Sequence, residues 1–260
     1  MNKDELLSNC KDELSSNCKD ELLSNCKDEL LSNCKDELSS NCKDELLSNC
    51  KDAVGYRVYV TAIVKDVPAE EYNRYIPPMK ARRMGKLQKR ALVTALKAME
   101  ISGIDHPDAI LNGTAMGCME HSVQLLKGLD QEGEAVNMPT AFMQSTHNTV
   151  ASLIAIYTGN HGYNNTYAHR SISFECALQD AWLQLRTGRL RTALVCANDE
   201  ITEFQQQHPH FFGQLEYADR SEAWMLSVEP GEHPLYELEN VRIIHQKGAG
   251  DRAEIIKKSL

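Results

Sequence analysis

The sequence has no long apolar run, no excess of positive charge and no apolar signal region at its start. No stretch approaches the roughly 18 consecutive apolar residues that a membrane-spanning helix needs. Met1 is followed by Lys-Asp-Glu, so we expect a cytoplasmic chain without a secretory signal. The formal net charge of −9 gives no electrostatic basis for binding nucleic acid. We therefore expect neither a membrane nor a nucleic acid among its partners.

Paired metal-ligand spacings and nucleotide-binding motifs are also missing. Of the nine cysteines, six recur singly, one every eight residues, which is not the paired spacing of structural zinc sites. His208 and His210 have no carboxylate or Cys placed to complete a metal site. Neither a Gly-Lys-Ser/Thr nor a G-x-G-x-x-G motif surrounds Gly113 and Gly117, which favours close packing over a phosphate cradle. We expect no metal and no cofactor.

Residues 1–52 are six copies of an eight-residue unit, K-D-E-L-L-S-N-C, with Ser15 and Ser39 replacing the second leucine, followed by the start of a seventh. Seven lysines stand against 13 acidic residues in this leader. At about 3.6 residues per turn, a period of eight rotates the apolar residues by about 80° per unit, so no helical face accumulates them. We predict a disordered or partly helical arm, with an oligomerising arm as the alternative.

Residues 53–260 alternate between strand and helix patterns. Predicted strands are 56–64, 108–112, 192–197, 222–228 and 235–245, and predicted helices are 86–101, 118–129 and 149–157. The second and third of these strands are predicted to be buried, which favours a layered α/β/α domain. Cys118, Cys176 and Cys196 lie in apolar contexts that are typical of small buried side chains. Segment 205–213 is predicted as a loop, and the chain is predicted to end in a frayed polar tail.

The stretch Gly162–Glu200 contains the candidate site. It is predicted to form a short strand, a sharp entry at 169–171, a helix to about Thr187 and a buried strand. Ser171 therefore stands where a helix begins, beside unpaired backbone N–H groups and the positive end of the helix dipole. This is a favourable place for a nucleophile or an acyl oxygen. Upstream, five polar residues in a row, 145–149, suggest one wall of a polar pocket.

This stretch resembles the N-terminal half of β-ketoacyl synthases, in the thiolase-like superfamily, and the resemblance covers about 56–245. In that family a His-Gly pair precedes the catalytic Cys, which is followed by a helix ending in x-Gly-Lys/Arg and a strand of the type A-L-V-G-G-x-E. Here His161-Gly162 is followed nine residues later by Ser171. Gly188-Arg189 and the strand Ala193–Glu200 then follow without an insertion. The sequence of this stretch also resembles that of stand-alone ketoacyl synthase N-terminal-like proteins from gene clusters for aryl polyene and flexirubin-type pigments.

The resemblance implies a thiolase-like fold with two departures from the family pattern. Ser171 occupies the position of the nucleophilic Cys, and the family's other catalytic residues belong to a C-terminal half that we expect this chain to lack. A helix N-terminus stabilises an adjacent anion by at most ~2 kcal/mol, which cannot ionise an alcohol. Ser171 therefore needs a general base, and His169 and His147 are the candidates, with His161 also nearby in the sequence.

Three functions stay open at this point. The first is a non-condensing, chain-length-factor-like protein that pairs with a complete ketosynthase or with itself. The second is a Ser171-dependent acyltransferase or thioesterase that acts on acyl carrier protein or coenzyme A thioesters. The third is a structural or degenerate remnant whose product begins near Ala53. The basic run Lys80–Arg90 predicts either a docking surface for an acidic acyl carrier protein or a solvated helix face.

Overall fold

The computed structural model describes residues 55–82, 84–133, 137–208, 219–246 and 250–260. The octad-repeat leader, 1–52, lies outside the described residues, so the arm and its boundary with a domain at 53–260 stay predictions. The chain from Gly55 to Leu260 belongs to one compact unit.

One mixed sheet of seven strands organises the described part of this unit. The strands are β1 Tyr59–Lys65, β2 Ala109–Gly113, β3 Tyr163–Tyr167, β4 Thr192–Asp199, β5 Arg220–Ser227, β6 Tyr236–Gln246 and β7 Gly250–Lys258. Their spatial order is β3-β2-β4-β5-β1-β6-β7. Strand β2 pairs in parallel with β3 and β4, whereas all other pairs are antiparallel.

Helices connect these strands and cover the sheet. They are α1 Tyr72–Tyr75, α2 Pro78–Ala81, α3 Lys86–Ser102, α4 Met119–Glu132, α5 Pro139–Gln144, α6 Thr149–Thr158, α7 Ser173–Arg186 and α8 Glu203–Gln207. The longer helices confirm the predicted ones to within a few residues. Glycines in the left-handed region follow the ends of three of them, Gly103 after α3, Gly159 after α6 and Gly188 after α7, because this backbone conformation costs glycine little.

Two apolar clusters lie on opposite faces of the sheet. Successive residues of β2 alternate between them: Ile110 packs in the cluster beneath α3 and α6, while Ala109 and Leu111 pack in the cluster beneath α7. This alternation is what a strand buried on both faces produces. The predicted α/β fold is thereby confirmed, with a helical layer on each face of the sheet.

The prediction of a frayed tail is wrong, because the last residues form strand β7. This strand pairs antiparallel with β6 from Gly250 to Lys258, and Ile255 packs against the apolar cluster beneath α7. The polar residues of β7 are typical of a tail as well as of an edge strand, because an edge strand exposes most of its side chains. If these residues were frayed, β6 would have no neighbouring strand on its outer side.

Two predicted loops also contain helices. The proline-containing connection after β1 includes α1 and α2, in which Pro78 occupies the first helical turn, a position that proline tolerates. The loop predicted at 205–213 begins instead within α8, where the Thr202 hydroxyl accepts a hydrogen bond from the Gln205 N–H. No helix in the described ranges is long and apolar enough to cross a membrane.

Candidate functional site

The carboxyl end of β2 is where the chain changes direction across the sheet. From β2 the chain passes to β3 on one side, and from β3 it returns to β4 on the other side. The three strands are parallel, so the segments that follow them meet at one edge. In open α/β sheets, the crevice at such a switch point is the usual place for a ligand.

Gly113, the last residue of β2, allows the entry of α7 to approach this edge. A Cβ at Gly113 would lie 2.5 Å from backbone atoms of Ser173 and Phe174. Gly117 lies in the left-handed region, with φ +70°. Gly113 therefore has a steric reason and Gly117 a conformational one, which favours the close-packing interpretation over a phosphate cradle.

Ser171 lies in this edge region, in a short 3-10 turn, Arg170–Ile172, that leads directly into α7. Arg170 has φ +50°, a left-handed conformation that is uncommon for a residue with a side chain. Ser173 stabilises the turn, since its hydroxyl accepts the His169 N–H at 2.8 Å and donates to the Arg170 carbonyl at 2.7 Å. The predicted sharp entry is thus present, and Ser171 is exposed within it.

The imidazole of His169 is bound to a carboxylate of the last strand. His169 Nε2 lies 2.6 Å from Asp251 Oδ2, and His245 Nδ1 contacts the other oxygen, Oδ1. Hydrogen bonds from His245 and His169 lower the pKa of the Asp251 carboxyl. Ser171 Oγ makes no hydrogen bond to His169 or to any other described residue. The structure therefore brings Ser171 and His169 into one turn without joining their side chains.

His147 lies beside the turn that follows β2, and no hydrogen bond joins its imidazole to Ser171. A Cβ at Gly117 would lie 3.4 Å from the imidazole of His147, which is exposed. The neighbouring hydroxyls serve the end of α5: Ser145 donates to the Phe142 carbonyl, and Thr149 donates to the Met143 carbonyl. These polar side chains therefore complete a local turn, which is a capping role.

A buried acidic residue, Asp199, organises the other half of this edge. It was not among the site residues predicted from the sequence. Asp199, only 4% exposed, accepts three hydrogen bonds at Oδ1: from the Thr114 hydroxyl, from the Ala115 N–H at 2.7 Å and from the Met116 N–H. The Arg90 guanidinium donates to the Asp199 carbonyl at 2.6 Å. Burial raises the pKa of the Asp199 carboxyl, although the three hydrogen bonds at Oδ1 and the positive charge of Arg220 oppose the shift.

Glu200 is the second buried carboxyl at this edge. Its Oε1 accepts the Glu120 N–H at 2.8 Å, in the first turn of α4. Burial raises the pKa of Glu200, and the hydrogen bond from the Glu120 N–H opposes this rise. Two acids that directly follow an apolar strand, in Ala193–Glu200, are the sequence signal that could have identified this pair.

The described residues contain no cluster of three or more His, Cys, Asp or Glu side chains that could hold a metal ion. Burial raises the pKa of the Cys118 and Cys196 thiols to about 12. It also raises the pKa of Cys176, which is half-buried in α7. These thiols are therefore poor nucleophiles near neutral pH, so none replaces the missing Cys at position 171.

The sequence matches the family described as β-ketoacyl synthase, N-terminal domain, over residues 61–256. The chain belongs to this family. The predicted resemblance is thereby confirmed, and the match includes the Ser171 turn and both acidic residues at the end of β4. None of the curated protein sequences matches the chain.

Solved ketosynthase structures have the same fold. A ketosynthase in complex with its chain length factor, ApeO and ApeC from Xenorhabdus doucetiae, is 20% identical, with a TM-score of 0.55 over 73% of this chain and 83% of that chain. The ishigamide ketosynthase/chain length factor is 15% identical, with a TM-score of 0.63 over 74% of this chain and 68% of that chain. A type II PKS acyl-carrier protein complex with its ketosynthase, AntDE:AntF, is 14% identical, with a TM-score of 0.62 over 74% and 69%.

Proposed function

We propose that this chain is a non-condensing, chain-length-factor-like member of the β-ketoacyl synthase family. It would act in the cytoplasm, in acyl-carrier-protein-dependent synthesis of fatty-acid-like or polyketide-like chains such as aryl polyenes. The observation that carries the proposal is the state of Ser171, an alcohol at the family's Cys position whose hydroxyl has no hydrogen bond to a described base. An alcohol without such a base is a weak nucleophile.

The direct test reconstitutes chain synthesis with a complete ketosynthase and an acyl carrier protein from the same host. We expect Ser171→Ala to leave the amount and the length of the product unchanged, because the hydroxyl has no part in condensation. The product is measured by mass spectrometry. A Ser171→Ala variant that forms no product would overturn the non-condensing assignment.

Strand β3 supports pairing with a ketosynthase or with a second copy of the chain, because it is an edge of the sheet. The Tyr163 N–H donates to the Asp108 carbonyl, and the Tyr167 carbonyl accepts the Thr114 N–H, so these residues direct their backbone groups inward. By strand alternation, the backbone N–H of Asn164 points outward. Such an edge is a template for a strand of another chain.

Pairing is tested by capture on the tagged chain from the native host, with light scattering to detect self-association. Asn164→Pro removes the outward N–H, while Asn164→Ala keeps it, and both lose the side-chain hydrogen bond to the Ala151 carbonyl. We expect wild type and Asn164→Ala to recover a ketosynthase or form a dimer, and Asn164→Pro to lose at least about tenfold in yield. Recovery of neither partner by wild type would contradict the proposal.

A groove of about 750 Å³ supports the docking of an acidic acyl carrier protein. Its walls are Met79, Lys80, Arg82 and Met84 on one side and Leu153, Ile156 and Tyr157 on the other. The Lys80 ammonium lies 4.9 Å from the centre of the Tyr157 ring. Lys80 and Arg82 therefore stand beside exposed apolar side chains in this groove. Such a surface complements a partner that is negatively charged and presents apolar side chains.

Charge reversal tests this surface. Lys80→Glu should weaken binding to the acyl carrier protein by about five- to twentyfold at low salt, and less at high salt. Lys127→Glu, an equal charge change at an exposed position on α4, serves as the control. Equal effects of the two variants would indicate a general charge effect and would contradict docking at this groove.

A second function, a Ser171-dependent acyltransferase or thioesterase, is favoured by one observation. Asp251 orients His169, which lies two residues from Ser171, as a carboxylate orients the base of a catalytic triad. Incubation with an acyl thioester followed by intact-mass measurement tests this function. We expect an acyl adduct that Ser171→Ala and His169→Ala both abolish if it operates. An adduct that persists in Ser171→Ala would exclude it.

A further inference from the structure

Asp251 joins two parts of the fold that are distant in sequence. In the pairing of β6 with β7, Asp251 lies directly opposite His245. Its second carboxyl oxygen reaches across to His169, at 2.6 Å from Nε2, in the segment that carries Ser171. One carboxylate therefore connects the end of the β6–β7 hairpin to the entry of α7.

The segment that Asp251 reaches is the one with an unusual backbone. Arg170 holds a φ of +50°, and such conformations persist only where the surrounding structure maintains them. The Ser173 hydroxyl maintains the turn from within α7, through the His169 N–H and the Arg170 carbonyl. Asp251 contacts the same turn from the other side, through the side chain of His169.

We propose that Asp251 is a positioning residue for the Ser171 turn. The hairpin β6–β7 acts as a strap: its carboxylate fixes the imidazole of His169 and, through it, the left-handed residue Arg170 and the exposed hydroxyl of Ser171. The role goes beyond the proposed function, because a turn held in this way is needed whether it contacts an acyl chain or performs chemistry.

The contact also selects the protonation of the imidazole ring. An ionised carboxylate can only accept a hydrogen bond, so in the neutral ring of His169 the hydrogen resides on Nε2, and Nδ1 is the acceptor. The side chain of His169 is 47% exposed and that of His245 is 78% exposed. The His169 contact is therefore the less solvated of the two, and we expect it to contribute more to the strap.

The test measures imidazole nitrogen chemical shifts and backbone amide exchange in the full chain by NMR. Asp251→Ala removes the acceptor, so it should abolish the Nε2–H preference of His169 and speed amide exchange at residues 169–172 by about three- to tenfold. Asp251→Glu keeps a carboxylate, so it should restore the Nε2–H preference and return the exchange rates at 169–172 to within about threefold of wild type. Glu254→Gln, on the opposite face of the same strand, is the matched control and should change neither.

The inference is overturned if Asp251→Ala accelerates exchange only at the hairpin end and leaves the turn and the His169 ring unchanged. His169→Ala tests the same contact from the other side and keeps the test decisive if the Asp251 variants fold poorly. It should speed exchange at 244–245 and 250–252 while leaving β1 unchanged. Unchanged exchange at the hairpin in His169→Ala would equally contradict the strap.

Discussion

The two halves of the sheet edge at the carboxyl end of β2 are built by opposite means. In the acidic half, Asp199 is buried and every hydrogen bond at Oδ1 comes from the turn that follows β2. In the serine half, Ser171 is exposed, and only its neighbours His169 and Ser173 are held by partners. The acidic half therefore has a structural role that tolerates little change, whereas the serine half leaves its hydroxyl accessible to another molecule.

The contrast between the two halves requires that the acidic half be essential for the stability of the fold. Asp199→Ala leaves three donors without an acceptor in a buried site, so we expect the free energy of unfolding to fall by about 3–5 kcal/mol. Chemical denaturation followed by circular dichroism measures this change. Asp130→Ala, at an exposed position of α4, is the control. A loss below about 1 kcal/mol would show that the acidic half does not hold the edge together.

Within the serine half, Ser173 should matter more for stability than Ser171. Ser173→Ala removes the acceptor of the His169 N–H and the donor to the Arg170 carbonyl, in a fully buried side chain. We expect a loss of about 1–2 kcal/mol in the free energy of unfolding, measured in the same way. If Ser173→Ala were as stable as wild type, the turn would be held by the hairpin alone.

Glu200 sharpens the comparison through its pH dependence. Burial raises its pKa in the folded state, so the folded protein binds the proton more tightly than the unfolded chain does. This contribution is complete below the unfolded pKa of about 4.3 and is lost as pH rises through the folded pKa. Glu200→Gln has no carboxyl to titrate at this position, so it does not lose this contribution. Its free energy of unfolding relative to wild type should therefore increase between pH 4 and pH 7.

The measurement for Glu200→Gln is a set of denaturation curves across this pH range. Asp219 gives the opposite sign as a control: burial raises its pKa, but the hydrogen bonds and positive charges of Arg90 and Lys86 together outweigh burial and lower it. Asp219→Asn should therefore lose stability relative to wild type as pH rises from below its folded pKa to 7. The same pH trend in both variants would refute the assigned environments.

The smallest effect on stability is expected at Ser171 itself. Its hydroxyl is exposed and makes no hydrogen bond to described residues, so Ser171→Ala should change the free energy of unfolding by less than about 0.5 kcal/mol. Thermal denaturation with and without a bound partner measures this change. A larger loss in the isolated chain would mean that Ser171 has a structural role, and the contrast between the two halves would disappear.

Local patterns in the sequence were sufficient to predict most elements around the site. Gly188 ends α7 in a left-handed conformation, and the apolar residues of β4 are buried as their composition indicates. The position of Ser171 at a helix entry followed from the same signals. Strand β7 was missed because its pairing with β6 and the contact of Ile255 with the apolar cluster form only in the folded chain.

The long-range contacts of the site could not be derived in this way. Asp251 is 82 residues from His169, and Thr114 is 85 residues from Asp199. Neither pair has a local pattern, since a hydrogen bond between separate segments depends on how the strands are ordered in the sheet. The resemblance to β-ketoacyl synthases identified position 171 but gave no information on these partners.

The sequence alone therefore determined the α/β alternation, the family and the alcohol at position 171, because periodicity, glycine positions and residue identity are local properties of the chain. The tertiary structure decided which groups hold the Ser171 turn. It placed Asp251 against His169 and buried Asp199 beneath the turn after β2. Hydrogen bonding and burial depend on neighbours in space, and strand pairing brings together segments that the sequence keeps apart.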